Sequence, residues 1–566
     1  MKSVGITGRV ALLALFLSVF ADLSQSQLSE SNEQPTTIRG VVINAVTRAP
    51  VPRALVRSMD SRVAVLTDGD GQFEFTLPKS EVEGPANEVR TYFGRPRQRV
   101  RLAGGLTLIA QKPGFFEDPS PHHSIPNSSG EITIALVPEA VIKGKITLST
   151  GDAASHISVQ LYSRQITEGF WRWLPGQFAQ ANSVGEFRFA ELQAGSYKLV
   201  TREWMDNDPQ ATPPGGQLYG FPPVYYPNAA DFSGGAMIEI AAGQTMEANV
   251  SLTRQPYYPV KIALANGDPG GLNVFVEGQR GPGYSLGYNS IEGQITGLLP
   301  NGNYVVEGNI FGPQRASGRV SLSVNGGPVE GPAMTLVPLS SVSFDVKEEF
   351  NDAQPTPLTT WSDGKHTYNL RGPRASLSAN VESADNLERP TGGAIRPPKA
   401  PDDDSLVIEN LLPGNYWVRL YATHGYVASA MMGATDVLHE PVTIGSGATG
   451  SIEVVLRDDF AEIDGTVSNL GQQAGSQSNG PGAWIYFVPT GSSGQFQQIG
   501  VSSDGKFSNP MIVPGSYRVL AFESQQLQLP YRDPAGMKAY ETKGQVITVA
   551  PGQKATMELQ MLSNAQ

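Results

Sequence analysis

The chain contains no cysteine. Disulfides and a lipid-bearing amino-terminal Cys are therefore excluded, and its domains must bury adequate cores unaided. Long apolar runs are also missing. Apart from Val10 to Phe20, no stretch approaches the roughly 20 consecutive apolar residues that a membrane helix needs, so no membrane span is expected in the mature chain. Positive charge is in deficit, with 41 Lys and Arg against 53 Asp and Glu and a formal net charge of −12. That field opposes nucleic acid and anionic membrane surfaces, which are recruited by positive potential. One local exception is Arg95, Arg97, Arg99 and Arg101, whose alternation puts four guanidinium groups on one face of an extended segment. Such a basic edge resists strand pairing through like charge; an anionic glycan or headgroup is the alternative reading.

The signatures of catalysis are absent too. Histidine is scarce, and His122, His123, His156, His366, His424 and His439 include no pair at metal-ligand spacing on a helix and none followed by the Glu of zinc peptidases. There is no Gly-x-Ser-x-Gly elbow, no phosphate-binding glycine loop and no dinucleotide fingerprint. The expectation is a protein without catalytic residues, cofactor or metal. Asp68 to Gly71 could begin a calcium loop, but the later acidic ligands and the bidentate Glu are missing, which favours a tight turn.

What the chain does have is turn-formers and a repeat. It holds 62 Gly and 43 Pro among 566 residues that are 40% hydrophobic, enough apolar material for packed cores and enough punctuation for many short strands. At the start, Lys2 and Arg9 precede Val10 to Phe20, and small or polar residues follow to Gln27. This is the pattern of a secretory signal, taken as residues 1–26, so the protein is expected to be exported to the periplasm, the outer surface or the medium.

The repeat is a hydrophobic residue, Pro or Gly, a polar residue, then Tyr. It occurs before Tyr197, Tyr304, Tyr416 and Tyr517. The interval of about 100 residues is that of one small domain, repeated. Each repeat opens on an alternating strand, at Ile38 to Val42, Val141 to Ile146, Val260 to Leu264, Val342 to Val346 and Ile463 to Val467. Each closes on another, at Ile132 to Val137, Ala248 to Leu252, Ala333 to Val337, Ile452 to Leu456 and Thr556 to Met561. Almost nothing separates a closing strand from the next opening one, which predicts a semi-rigid rod coupled between sequence neighbours. The fold class expected is all-β: about five tandem β-sandwiches in an elongated array, spanning 37–138, 139–254, 255–338, 339–457 and 458–562.

Gly40, Val41 and Val42, then Pro52 to Val56, then Thr67, Asp68, Asp70, Gly71 and Phe73 resemble the carboxypeptidase regulatory-like domains, and so do Ser503 to Phe507 with Val513 to Tyr517. The resemblance implies prealbumin-like (transthyretin-like, Ig-like) sandwiches of a bacterial exported protein. The third and fourth repeats depart from it, because Ile291 to Ile295 and Asp404 to Ile408 keep the strand and lose the Asp-Gly turn. Helix is expected to be confined to short turns such as Asp533 to Ala539, where Asp can cap and Pro can open one.

Irregular inserts rich in Pro, Gly, Asn or Asp interrupt the pattern at 80–105, 205–235, 351–404 and 471–482. Pro397 to Asp404 reads as disordered, whereas Tyr219 to Phe232 carries too many aromatics for that. Sandwiches of this type resemble carbohydrate-binding folds, and the candidate stacking residues are Trp171 and Trp173, beside Phe170, with Tyr225 and Tyr226 in the insert. The competing reading places Trp171 and Trp173, at period two on one strand, over the core. Two functions follow: non-catalytic binding, with polysaccharide as partner, or a structural rod meeting envelope proteins through strand edges and loops.

Overall fold

The computed structural model describes residues 36–562 apart from 59–62, 78–87, 90–99, 102–107, 117–131, 207–215, 267–271, 278–282, 311–314, 352–358, 385–391, 470–482 and a few isolated positions. The leader at 1–26, Arg95, Arg97, Arg99, His122, His123 and His366 lie outside the described residues. Strand accounts for 62% of the structure and helix for 3%. Among the described residues no helix is long and apolar enough to cross a membrane.

The chain divides into two compact units, 1–113 with 117–136, and 114–116 with 137–566. In the first, Thr36–Asn44 pairs antiparallel with Gln72–Leu77 and parallel with the strand that begins at Ile132. Leu55–Ser58, flanked by Ala64–Leu66 and Leu108–Gln111, makes the facing sheet. Val42, Val56, Ala110, Ile134 and Leu136 are fully buried between them.

The second unit repeats this arrangement. Each opening strand pairs parallel with its closing strand: Val141 with Thr245, Val260 with Val329, Phe344 with Ile452 and Gly465 with Met557. Each also pairs antiparallel with the strand after the turn. The resulting sheet packs on a second one centred on Ser158–Thr167 and Gly195–Thr201, on Gly302–Ile310, on Leu377–Ser383 and Gly414–Ala422, or on Ala483–Pro489 and Gly515–Phe522. Separate apolar cores fill the gaps, around Ile142 and Phe189, Ile262 and Val306, Ile408 and Val454, and Ile463 and Phe487. Fully burying one such aliphatic side chain contributes about 1.5–3 kcal/mol.

The glycine in three opening strands has a steric cause. Gly40, Gly144 and Gly465 sit opposite Phe73, Phe187 and Phe507. A Cβ on any of them would lie within 2.1–2.3 Å of a closing-strand carbonyl oxygen and within 2.5–2.7 Å of the Phe ring. The ring therefore lies across the bare backbone, covering a position that a side chain would block.

The repeated tyrosines also share one geometry. The hydroxyls of Tyr197, Tyr304, Tyr416 and Tyr517 donate to the carbonyl oxygens of Gln193, Pro300, Leu412 and Val513, four residues upstream, at 2.7, 2.9, 2.9 and 2.5 Å. The ring fills the core while its hydroxyl ties the corner before its strand, which is why Pro or Gly precedes it. Burial raises the Tyr197 and Tyr416 hydroxyls above the ordinary phenol range and pushes Tyr517 up to about 12.

Asp68 caps a tight turn: its Oδ1 accepts from Asp70 N and Gln72 N, with Gly71 at φ 71°. Asn182 does the same for Val184 and Glu186. The third repeat lacks the Asp-Gly turn, as expected, but a related Asn-capped turn takes its place. Asn289 Oδ1 accepts from Ile291 N and Glu292 N, so Ile291 stands 95% exposed at the tip and the next strand starts at Gln294. Pro397 to Asp404 is likewise not the disordered stretch expected, because Arg396 binds Asp403 at 2.5 Å and Asp403 accepts from Lys399 N and Ser405 N. Pro534–Met537 forms the short helix, with Asp533 accepting from Ala535 N at 3.0 Å.

Candidate functional site

Polar and aromatic side chains converge most strongly at one hairpin, built by Ser158–Thr167 and Phe170–Gln180. Its two turn residues, Glu168 and Gly169, have φ 54° and 83°, the pair of positive values that suits a right-handed twisted ribbon. Along Phe170–Gln180 the side chains alternate, so Phe170 and Arg172 share one face and Trp171 and Trp173 the other.

The Phe170 face packs on the fourth sandwich. Phe170 stacks on Trp417, centroids 4.7 Å apart. Arg172, 1% exposed, binds Glu382 Oε1 at 2.5 Å and donates to Ser383 O at 3.0 Å. Glu382 Oε2 meets Arg419 at 2.5 Å, and Arg419 reaches back to Glu168 at 2.5 Å. The ionic chain thus leaves the hairpin at Arg172, crosses two strands of another sandwich and returns to the hairpin at Glu168. Burial lowers the Arg172 pKa against the pull of Glu382. Burial also works to lower that of Arg419, but Glu168 and Glu382 outweigh it and the net shift is upward.

The hairpin tip enters the fifth sandwich. Arg532 N donates to Gly169 O at 3.2 Å, and a Cβ on Gly169 would fall 2.9 Å from the Tyr531 ring. Tyr531 in turn stacks on Phe496 at 3.6 Å. The fourth and fifth sandwiches meet directly as well, through Gln495 Nε2 on Val427 O at 3.0 Å and Tyr426 on Asp459 at 2.6 Å. Coupling restricted to sequence neighbours is therefore not what the second unit shows, because its second sandwich holds its fourth and fifth.

The other hairpin face carries the predicted stacking residues. Trp173 is half-buried against Tyr162, Val200, Tyr225 and Phe232, and Tyr225 is 1% exposed. Lys198 extends into this group, its Nζ 4.6 Å from the Phe232 centroid, 5.6 Å from that of Trp173, and donating to Phe232 O at 2.6 Å. Burial lowers the Lys198 pKa, with Asp231 opposing. An aromatic cage is present, and the chain's own ammonium fills it. Tyr226 turns the other way, half-buried against the main core of its sandwich. Trp171 is half-buried with the Arg164 guanidinium 4.7 Å over its ring. The four residues do not form one open platform: Tyr225 offers no face to a ligand.

Glu382, Trp417, Arg419 and Glu168 were not singled out by their sequence. The only signal was that Trp417 and Arg419 are the outward members of a strand whose inward members, Tyr416 and Val418, fill the core. Among the described residues no three His, Asp or Glu side chains are grouped to hold a metal ion. His439 instead pairs with Asp436 at 2.8 Å.

No family model matches this chain, and no curated protein does. Among solved structures it is similar to the Bacillus anthracis TIE protein, at 10% identity over 79% of this chain and 78% of the other, with a TM-score of 0.16. It is also similar to a Streptococcal ancillary pilin, at 11% identity over 53% and 99% with a TM-score of 0.17, and to the shaft pilin of Lactobacillus rhamnosus GG, at 11% over 39% and 97% with a TM-score of 0.18. Likeness of this degree carries no argument about what the chain does.

Proposed function

We propose that the chain is an exported, non-catalytic structural protein of the cell envelope, assembled from carboxypeptidase regulatory-like sandwiches at 37–138, 139–254, 255–338, 339–457 and 458–562. Export rests on the signal-like pattern of residues 1–26. The single observation that carries the structural reading is the ionic chain Arg172–Glu382–Arg419–Glu168. Residues of the types that bind ligands are engaged there with one another, and the consequence is mechanical: the chain ties the second sandwich to the fourth, and the hairpin tip at Gly169 adds the fifth. A buried pair of this kind adds little net stability over an apolar contact, but breaking it leaves a charge stranded.

Scanning calorimetry on the mature protein tests this. The second, fourth and fifth sandwiches should melt in one transition, and Arg172→Ala should split it. Independent melting of these sandwiches in the unaltered protein would count against the reading.

Polysaccharide binding is the second reading, favoured by one pair. Trp361 and Tyr368 lie opposite each other on the hairpin of Thr359–Ser362 and Thr367–Leu370, both half-buried and stacked at 5.8 Å. With Trp171 they are the aromatic surfaces to test against sugar rings. In affinity electrophoresis, Trp361→Ala or Trp171→Ala should release a retained polysaccharide if this reading holds; mobility unaffected by any polysaccharide removes it.

A further inference from the structure

Closing strands lie at one edge of their sheets, and an uncovered edge is a template for another strand. Within the second unit this edge is blunted in three sandwiches. In the second, the closing strand is broken into Thr245–Glu247 and Val250–Leu252, with Asn249 Oδ1 accepting from Lys145 N in the gap. In the third, Val329–Met334 carries Pro332 and a register shift against its partner. In the fourth, the Glu453 to Arg457 half of Thr449–Arg457 is covered by Tyr426–Met432.

The fifth sandwich has none of these devices. Lys554–Gln560 is regular, and among the described residues it pairs only with Ala461–Ser468. The connection that supplies the covering strand in the fourth sandwich takes another course here. It places Leu529, Tyr531, Met537 and Tyr540 against Tyr486, Leu520 and Phe522 on the outer face of the second sheet. A groove lined by Val546, Ile547, Met557 and Glu558 stays open beside the bare edge.

The direction of the free backbone groups is fixed. Gln553 O accepts from Glu462 N at 2.8 Å and Met561 N donates to Ser468 O at 3.3 Å, so odd-numbered residues face the partner strand. Lys554, Thr556 and Glu558 consequently aim their N–H and C=O groups outward, in the spacing an antiparallel strand requires. Their side chains are exposed.

We propose that this edge pairs with the same edge of a second copy of the chain, antiparallel about Thr556. A two-fold axis there sets Thr556 opposite itself and Ala555 opposite Met557, and it sets Lys554 of each copy opposite Glu558 of the other. Facing opposite charges across antiparallel strands stabilise the register, and here each copy supplies both signs. Lys554 is available for this: its side chain is 80% exposed, with a single surface carboxylate, Glu462, at 2.6 Å. The inference is independent of what the chain does once assembled.

Sedimentation velocity of the mature full-length protein at about 100 µM, a concentration at which micromolar association is populated, reads it directly. A reversible dimer is expected. Thr556→Pro removes only an outward N–H, so it should give monomer with an unchanged melting temperature. Lys554→Glu and Glu558→Lys should each weaken association by about tenfold, and the double exchange Lys554→Glu with Glu558→Lys should restore it. A monomeric wild type overturns the proposal, and so does a dimer that both Thr556→Pro and Glu558→Lys leave intact.

Discussion

Arg172 and Glu382, 210 residues apart in sequence, meet at 2.5 Å with the guanidinium 1% exposed. Neither belongs to the apolar core of its own sandwich; each is buried in contact with the other sandwich. The pair therefore reports on the joint and not on either fold.

The first prediction separates the two. Arg172→Ala strands the Glu382 carboxylate, and Glu382→Ala leaves Arg172 with less countercharge, so each should destabilise by about 3–5 kcal/mol. Replacing both, Arg172→Met with Glu382→Leu, should recover most of that loss. Urea denaturation followed by tryptophan fluorescence is the measurement, and additive losses in the double variant would refute the coupling.

A second prediction concerns the corner tyrosines. Tyr517 donates to Val513 O at 2.5 Å and accepts from Gln495 N at 3.0 Å. Tyr517→Phe keeps the ring and removes the partner of one buried and one half-buried backbone group, for a loss of about 1–3 kcal/mol. Tyr517→Ala also opens a cavity and should lose about 3–5 kcal/mol. A melting temperature unchanged by both would show the corner bond to be incidental.

The third turns on close approach. In Gly465→Ala the new methyl must occupy space 2.3 Å from Met557 O and 2.5 Å from the Phe507 ring. The strands have to part, and a loss of about 1–3 kcal/mol is expected. Gly491→Ala, with nothing within 4 Å, is the control and should be neutral by the same thermal melt.

How much of this could be read in the sequence depends on whether the cause is local. The opening strands were legible because Val141, Gly144 and Ile146 combine alternation with a glycine that only a crossing ring requires, and the corners because Gly515 and Tyr517 fix a turn within a few residues. The turn of the third repeat was missed because Asn289 replaces Asp and one extra residue precedes Gly293, the position at φ 65°. The Trp173 cage was half legible: aromatic density marked the place, but Lys198 sits on a neighbouring strand, paired to the hairpin by tertiary structure. The joint was not legible at all. Outward-facing Trp417 and Arg419 look like solvated positions until the Phe170 hairpin arrives from a sandwich more than 200 residues earlier.

The last prediction is a pH dependence at the junction of the second and third sandwiches, which share a sheet through Leu218–Phe221 on Gln255–Leu264. Glu203, from the second, accepts from Ser285 N and Oγ of the third at 2.9 and 2.8 Å. Burial raises its pKa above the usual carboxylate value, and the Ser285 bonds only partly offset this. A carboxyl whose folded pKa is raised binds its proton more tightly folded than unfolded. Its contribution to stability is therefore fully present below the unfolded value of about 4.5 and is lost as pH rises through the higher folded value. Glu203→Gln, which mimics the protonated state at every pH, should remove this dependence. The difference in unfolding free energy between Glu203→Gln and wild type should be flat below about pH 4.5 and grow in favour of the variant above it. Other carboxylates, such as Asp403, held low chiefly by Arg396, titrate in both proteins and cancel in the difference. A difference that shrinks with rising pH would mean that the Ser285 bonds outweigh burial and that ionised Glu203 holds the junction together.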